Sequence, residues 1–298
     1  MNKKLSPVVR LLRPAQWVKN GLVFAGLIFS KRLFDVPSVV LSVRAFASFC
    51  VVSSIVYIVN DILDRHADRL HPIKRKRPIA AGLLSIPQAA AVAAVLTGLL
   101  VLLLEGTGEN FAAAIAAYAV LNTAYSLLLK RVLLVDVFVI AAGFMLRVVG
   151  GVFVLNVEIS SWLVLCTLFM SVFLGISKRR SELILNDSTH RESGRSVLKH
   201  YDVDFLDQLM TIAASGMAIS YALYTVAQRT VMIFGSEHLI FTTIFVLFGI
   251  FRYLYLVRSR KTDDNPAHIL LTDPAMLATI AVWFLSCVAI IYVHDLRF

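Results

Sequence analysis

Residues 39–68 read VVLSVRAFASFCVVSSIVYIVNDILDRHAD: an apolar run, Val39–Val59, broken by one charge, Arg44, and followed at once by aspartates at 61, 64 and 68. A run of this kind matches the roughly 20 residues that carry a helix across a bilayer, and it lacks the period-2 alternation of a barrel strand. Comparable runs recur at Trp17–Phe34, Leu83–Leu104, Phe111–Leu129, Val132–Val154, Trp162–Ile176, Leu209–Ala227, Leu239–Val257 and Ala275–Val293. Lys19, Asn20, Lys31 and Arg32 intrude on the first of these, leaving only about 10 uninterrupted apolar or small residues. Helices satisfy their own backbone polar groups in lipid, so the expectation is an all-α bundle of about nine transmembrane spans, or eight without the first run.

Composition agrees. The 298 residues are 58% hydrophobic with a mean hydropathy of +0.78, more apolar surface than a soluble core of this length needs, so the surplus must face lipid. Lys and Arg number 29 against 19 Asp and Glu. A net charge of +10 in a soluble chain would suggest nucleic acid, but these basic residues lie between apolar runs. That pattern suits a membrane surface or phosphorylated substrates, and nucleic acid is not expected as a partner. Cys50, Cys166 and Cys287 all fall inside apolar runs without ligand-like spacing and read as packing residues. Lys3 and Lys4 are not followed by a short apolar core and a small-residue cleavage site, so no cleaved leader is expected. No fixed-period repeat and no Gly/Ser/Pro-rich linker divides residues 1–298, which read as one domain.

Basic residues in short loops stay on the cytoplasmic side far more often than they cross. With the N-terminus inside, most of the 29 Lys and Arg fall on that side: the segment before the first run, the 60–82 loop, Lys130 with Arg131, the 177–208 loop, and Arg258 to Lys261. The expected location is therefore a multi-pass plasma-membrane protein whose two long loops face the cytoplasm. Arg44, Arg147 and Arg252 remain within spans. Arg147 is the deepest, about 15 residues or roughly 22 Å into its span at 1.5 Å per residue. A charge there is expensive unless it lines a polar cavity or pairs with a carboxylate. Asp136 shares its helix face but lies three turns away.

The aspartates at i, i+3 and i+7 share one face if the second span continues as a helix. Three carboxylates together repel unless a cation sits among them, and oxygen ligands of this kind suit magnesium shared with substrate phosphates. The competing reading is a solvated helix end whose acids neutralise the basic loop after it. Function is favoured, because ionisable groups at a membrane helix end are costly unless used. Asn60 can orient a carboxylate or cap the helix, and His66 falls off the aspartate face.

Asn60-Asp61-x-x-Asp64-x-x-x-Asp68-Arg69-x-His71-Pro72-x-Lys74-x-x-Arg77-Pro78-x-Ala80-x-Gly82 resembles the first Asp-rich signature of the UbiA superfamily of intramembrane prenyltransferases. The resemblance implies a nine-helix bundle in which Asp61, Asp64 and Asp68 bind Mg2+ that holds a diphosphate, while Lys74 and Arg77 contact phosphate oxygens. Further segments resemble one branch, the decaprenyl-phosphate phosphoribosyltransferases: Arg13-Pro14-x-Gln16-Trp17-x-Lys19-Asn20, Tyr125-Ser126-x-x-Leu129-Lys130-Arg131 with Asp136-Val137, Gly143-Phe144-x-Leu146-Arg147-x-x-Gly150-Gly151, Lys178-Arg179-Arg180-x-Glu182, and Asn265-Pro266 leading to Leu270-Leu271-x-Asp273. That branch implies transfer of 5-phosphoribose from phosphoribosyl pyrophosphate to a polyprenyl phosphate, in service of cell-wall biogenesis.

Ring-alkylating relatives carry a second Asp-rich motif near the end of the sixth span. This chain has Ser177-Lys178-Arg179-Arg180-Ser181-Glu182 there. Three cations and one acid cannot make the same metal cage but can bind phosphate directly, whereas the bland alternative is a positive-inside anchor. Lys19, Asn60, Tyr125, Lys130, Arg147, Lys178, Arg179, Arg180 and Glu182 are accordingly expected around the substrate phosphates, with Asp61, Asp64 and Asp68 as the catalytic metal ligands. Two rivals stand beside this reading. One is a prenyltransferase joining a polyprenyl diphosphate to an aromatic or quinone precursor. The other is a transporter or non-catalytic subunit, for which Arg44, Arg147 and Arg252 would line a path.

Overall fold

The computed structural model describes residues 6–70, 74–189, 198, 200–259 and 272–292. Among the described residues every regular element is helical. Seven helices are long and apolar enough to cross a membrane: α3 (Val36–Leu63), α5 (Ile86–Leu104), α7 (Val135–Phe153), α8 (Ser161–Thr189), α9 (Val203–Val226), the stretch His238–Ser259 that ends in α11 (Thr243–Ser259), and α12 (Pro274–Tyr292). The protein is therefore a multi-pass membrane protein. The remaining short elements are α1 (Pro7–Leu12), α2 (Ala25–Phe29), α4 (Arg65–Leu70) and α10 (Gln228–Phe234).

The expected count of nine is approximate, for two different reasons. The run at 111–129 does form a helix, α6 (Glu109–Leu127), but Asn110, Asn122, Thr123 and Ser126 hold down its hydropathy. The run at 17–34 becomes a 3-10 helix over Pro14–Phe24 continued by the five residues of α2. α3 and α9 exceed their apolar runs, and α8 does so furthest, continuing well past Ile176 to Thr189, so Lys178, Arg179, Arg180 and Glu182 sit on a helix where the sequence suggested a loop beginning at 177. Of the expected basic residues, Lys3, Lys4, Arg191, Arg195, Lys199, Arg260, Lys261 and Arg297 lie outside the described residues, as do His71, Pro72, Asn265, Pro266, Leu270 and Leu271.

The chain forms two compact units, residues 1–129 with 146–158, and residues 130–145 with 159–298. In the first, α3 packs against the Pro14–Phe24 segment, α5 and α6. Val23, Phe49, Val52, Phe111, Ile115 and Tyr118 form its core. α5 fully buries only Ala89 and packs half-buried Val92, Ala93 and Leu96 on the same side, leaving its other face for lipid. Its start is fixed by a capping box in which Ser85 and Gln88 satisfy each other's backbone N–H groups. Its end is held from α3: Arg44 donates to the carbonyls of Leu103 (2.7 Å), Leu102 (3.1 Å) and Glu105. A cation at a helix C-terminus answers both orphan carbonyls and the helix dipole.

In the second unit α8 packs along α9 around Phe173, Leu206, Met210 and Tyr253. Asp202 caps α9 through Phe205 N–H (2.7 Å), and Asp273 caps α12 through Met276 N–H (2.9 Å). Asp273 also takes Arg252 of α11 in a two-point pair at 3.1 and 2.8 Å. Arg44 and Arg252 are thus structural clamps, which removes two of the three charges that had suggested a transport path.

Candidate functional site

The acidic motif forms where α3 ends. Asp64 closes α3, yet Asp64 N–H still reaches the Asn60 carbonyl and Asp68 N–H the Asp64 carbonyl, both at 2.9 Å, so helical bonding runs through the junction into α4. That continuity keeps the aspartates in register. Asp61 and Asp68 are buried, at 1% and 2% exposure, while Asn60 and Asp64 are half-buried and His66 is exposed. Between the two buried carboxylates lies Arg77, whose Nη1 is 2.6 Å from Asp68 Oδ2 and 3.1 Å from Asp61 Oδ1. The three-carboxylate cluster expected from the spacing is not closed up: among the described residues no group of three Asp, Glu, His or Cys side chains is disposed to hold a metal.

Arg13 completes this cluster, although the sequence reading gave it no role. It lies between α1 and the 3-10 segment with a left-handed backbone, φ 53° and ψ 56°, a conformation uncommon outside glycine. From there its Nη2 reaches Asp61 Oδ1 at 2.5 Å, and its guanidinium stands 4.7 Å from the Tyr57 ring centre. Burial pulls its pKa below the ordinary arginine value, opposed by the Asp61 charge. The segment is anchored on α3 by Trp17 Nε1–H donating to Ser54 Oγ, whose hydroxyl donates back to the Leu12 carbonyl. One atom is left over: Asp61 Oδ2 is buried and has no hydrogen-bond partner.

Deeper in the same unit, Arg147 answers the question its depth posed. Its partners are Asn20 Oδ1 (2.7 Å) and the Tyr118 hydroxyl (2.8 Å), with the Tyr118 ring centre at 4.7 Å, and not Asp136. Asn20, fully buried, in turn donates to Cys50 Sγ. Lys19 is half-buried and lies within electrostatic reach of both Arg147 and Arg13. Glycines make this approach possible. A Cβ on Gly151 would lie 2.0 Å from the Val23 carbonyl oxygen, and one on Gly26 2.8 Å from the Gly151 oxygen. Gly150 packs against the Phe49 ring.

In the second unit Asp136, fully buried near the start of α7, takes Arg179, also fully buried, at 2.8 Å as an ion pair without hydrogen-bond alignment. Arg179 also pairs with Glu182. The Tyr201 hydroxyl donates to Asp136 Oδ1 (2.9 Å) and accepts from the N–H of Leu134, whose φ is +64°. Burial foremost pushes the Tyr201 pKa up to about 12, so the phenol keeps its proton for Asp136 at neutral pH. Arg180 pairs with Asp207 of α9 at 2.6 Å and donates to the Val257 carbonyl. Two of the three cations expected to meet phosphate therefore already have carboxylate partners. Sequence reading missed Asp136 and Asp207 as those partners. Lys178 is half-buried on α8, Lys74 and Lys130 on 3-10 turns, and Tyr125 in the last turn of α6.

A cluster of buried aspartates and arginines at the end of one membrane helix is suited to anionic, metal-bearing ligands, and similarity to known proteins agrees. The UbiA prenyltransferase family pattern matches residues 21–272. The protein from Corynebacterium glutamicum named decaprenyl-phosphate phosphoribosyltransferase is 36% identical over 234 residues, covering 75% of this chain and 70% of that protein. One of the same name from Mycolicibacterium smegmatis is 33% identical over 224 residues, 74% and 70% of the two chains. Among solved structures, a UbiA homolog from Archaeoglobus fulgidus bound to GPP and Mg2+ superposes with a TM-score of 0.69 at 18% identity, over 96% of this chain and 99% of that one. With most of its length matched, and the expected bundle and acidic motif in place, this chain belongs to the UbiA prenyltransferase family and is a transferase.

Proposed function

We propose that the protein transfers 5-phosphoribose from phosphoribosyl pyrophosphate to a polyprenyl phosphate at the cytoplasmic membrane face, releasing pyrophosphate, and that it does so with Mg2+ as a single domain. The observation that carries this is the identity of 36% and 33%, over three quarters of the chain, to proteins named for that activity. The donor set supports the metal: Asp61 Oδ2 is buried without a partner, and magnesium is usually held by one or two carboxylates together with substrate phosphates and water. Asp61 and Asp68 would hold it, with Asp64 at the half-buried edge. When bound, the metal supplies charge stabilisation to the departing pyrophosphate.

The remaining work falls to side chains of this chain. Arg77 and Lys74 hold donor phosphate oxygens, and Lys19, Asn60, Tyr125, Lys130 and Lys178 orient the other phosphates of donor and acceptor. Arg147, fixed by Asn20 and Tyr118, keeps a positive charge in the apolar interior. The pairs of Arg179 with Asp136 and Glu182, and of Arg180 with Asp207, support their ends of α7, α8 and α9. The lipid phosphate is itself the nucleophile, so catalysis consists of positioning and charge stabilisation.

The test offers labelled phosphoribosyl pyrophosphate and labelled prenyl diphosphate in parallel to membranes containing the protein. Label from the first should enter a polyprenyl-phosphate lipid and stop on chelation of divalent metal. Prenylation of an aromatic acid, with phosphoribosyl pyrophosphate ignored, would overturn the proposal in favour of the ring-alkylating reading.

A further inference from the structure

Among Asp61, Asp68, Arg13 and Arg77 the charges balance. Two buried carboxylates, Asp61 and Asp68, face two guanidiniums, Arg13 and Arg77, and the shared oxygen Asp61 Oδ1 receives both of them. A dication added to this arrangement brings a net double positive charge into a site whose aspartates are 1% and 2% exposed. Such an excess is unfavourable at these distances. A diphosphate entering with the dication removes the excess, and it offers the arginines acceptors of the kind they already hold, ionised oxygens.

From this geometry we infer that Arg13 is a positioning residue for the metal site: it holds Asp61 as a counter-ion and exchanges that carboxylate for diphosphate when metal and diphosphate enter together. The inference rests on the assignment of Asp61 and Asp68 to the metal. Arg13 is well placed for such an exchange. It is the one of the two arginines that touches Asp61 alone, it is 23% exposed at its side chain, and the Tyr57 ring 4.7 Å away supports its guanidinium whichever anion it faces. The consequence of the exchange is that metal alone binds weakly, which prevents a loaded cation from idling in the site between turnovers.

The experiment uses the purified full chain in detergent, with Mn2+ as the metal probe read by electron paramagnetic resonance and radiolabelled inorganic pyrophosphate as the anion probe. Arg13→Gln should bind Mn2+ without pyrophosphate about ten-fold or more tighter than the unmodified protein. It should also hold pyrophosphate about ten-fold or more weakly at saturating Mn2+, the size of one charge-assisted contact. Arg13→Lys keeps the charge but not the planar fork, and should shift both affinities in the same directions by less. It serves also where Arg13→Gln does not fold. Unchanged or weaker Mn2+ binding in these variants, with binding lost in Asp61→Asn, would overturn the exchange and leave the metal assignment standing. Mn2+ binding that survives Asp61→Asn unchanged would remove both.

Discussion

Asp136→Asn provides a direct measure of whether Arg179 is a structural ion or a substrate contact. The substitution keeps an oxygen for the Tyr201 hydroxyl but removes the charge facing Arg179, and both Asp136 and Arg179 are fully buried. Removing one partner of a buried pair costs about 3–5 kcal/mol, mostly because the other charge is left uncompensated. Glu182 still touches Arg179 and is itself 29% exposed, so the lower end of that range, about 3 kcal/mol, is expected here. Adding Arg179→Gln to Asp136→Asn removes the stranded charge, so the double variant should recover about 2 kcal/mol relative to the sum of the singles. The assay is reversible unfolding in mixed micelles titrated with SDS, with phosphoribosyl transfer measured on each variant. Additivity within about 0.5 kcal/mol would refute the buried-pair argument. A double variant that is fully folded yet has lost affinity for phosphoribosyl pyrophosphate would instead restore Arg179 to the phosphate site.

Three further outcomes follow from the same geometry. Asp61→Asn and Asp64→Asn should each abolish transfer while leaving the protein folded and membrane-inserted; near-normal turnover of either at saturating magnesium would contradict the metal assignment. Gly151→Ala should lower folded yield sharply, because its Cβ would lie 2.0 Å from a backbone oxygen that cannot rotate away, and yield equal to the unmodified protein would show the Pro14–Phe24 segment free to move. Single cysteines at Ser85 and Ser188, in a chain with its own three cysteines replaced, should both resist a membrane-impermeant thiol reagent on intact cells; labelling of one alone would mean that the positive-inside reading has miscounted a span.

Hydropathy marked the lipid-crossing part of each long helix and little else. α3 was legible from end to end because its apolar run flows into the aspartates at helical spacing. The polar end of α8 was not, since residues 177–189 turn polar without leaving the helix, and Lys, Arg, Glu and Leu are good helix formers. Nor was the 3-10 course of Pro14–Phe24, where the intruding Lys19 and Asn20 read as interruptions of a span. They belong instead to a segment seated on α3 and on the glycines of α7, with Asn20 fully buried and Lys19 half-buried.

The candidate site shows the same division between what composition fixes and what only three dimensions fix. The aspartate spacing located the acidic cluster, and the depth of Arg147 announced that it must have partners. Which partners was invisible, because charge patterns give the sign of an interaction and not its address. Arg179 and Arg180 looked available for phosphate as long as Asp136 and Asp207 were remote in sequence. Among the described residues those carboxylates face Arg179 and Arg180 directly, at 2.8 and 2.6 Å. Arg77 and Arg13 themselves are balanced by Asp61 and Asp68 until a dication arrives. On the proposed function, the positive potential that draws phosphate would come largely from the metal, and loss of the metal should weaken diphosphate binding far more than loss of any single lysine.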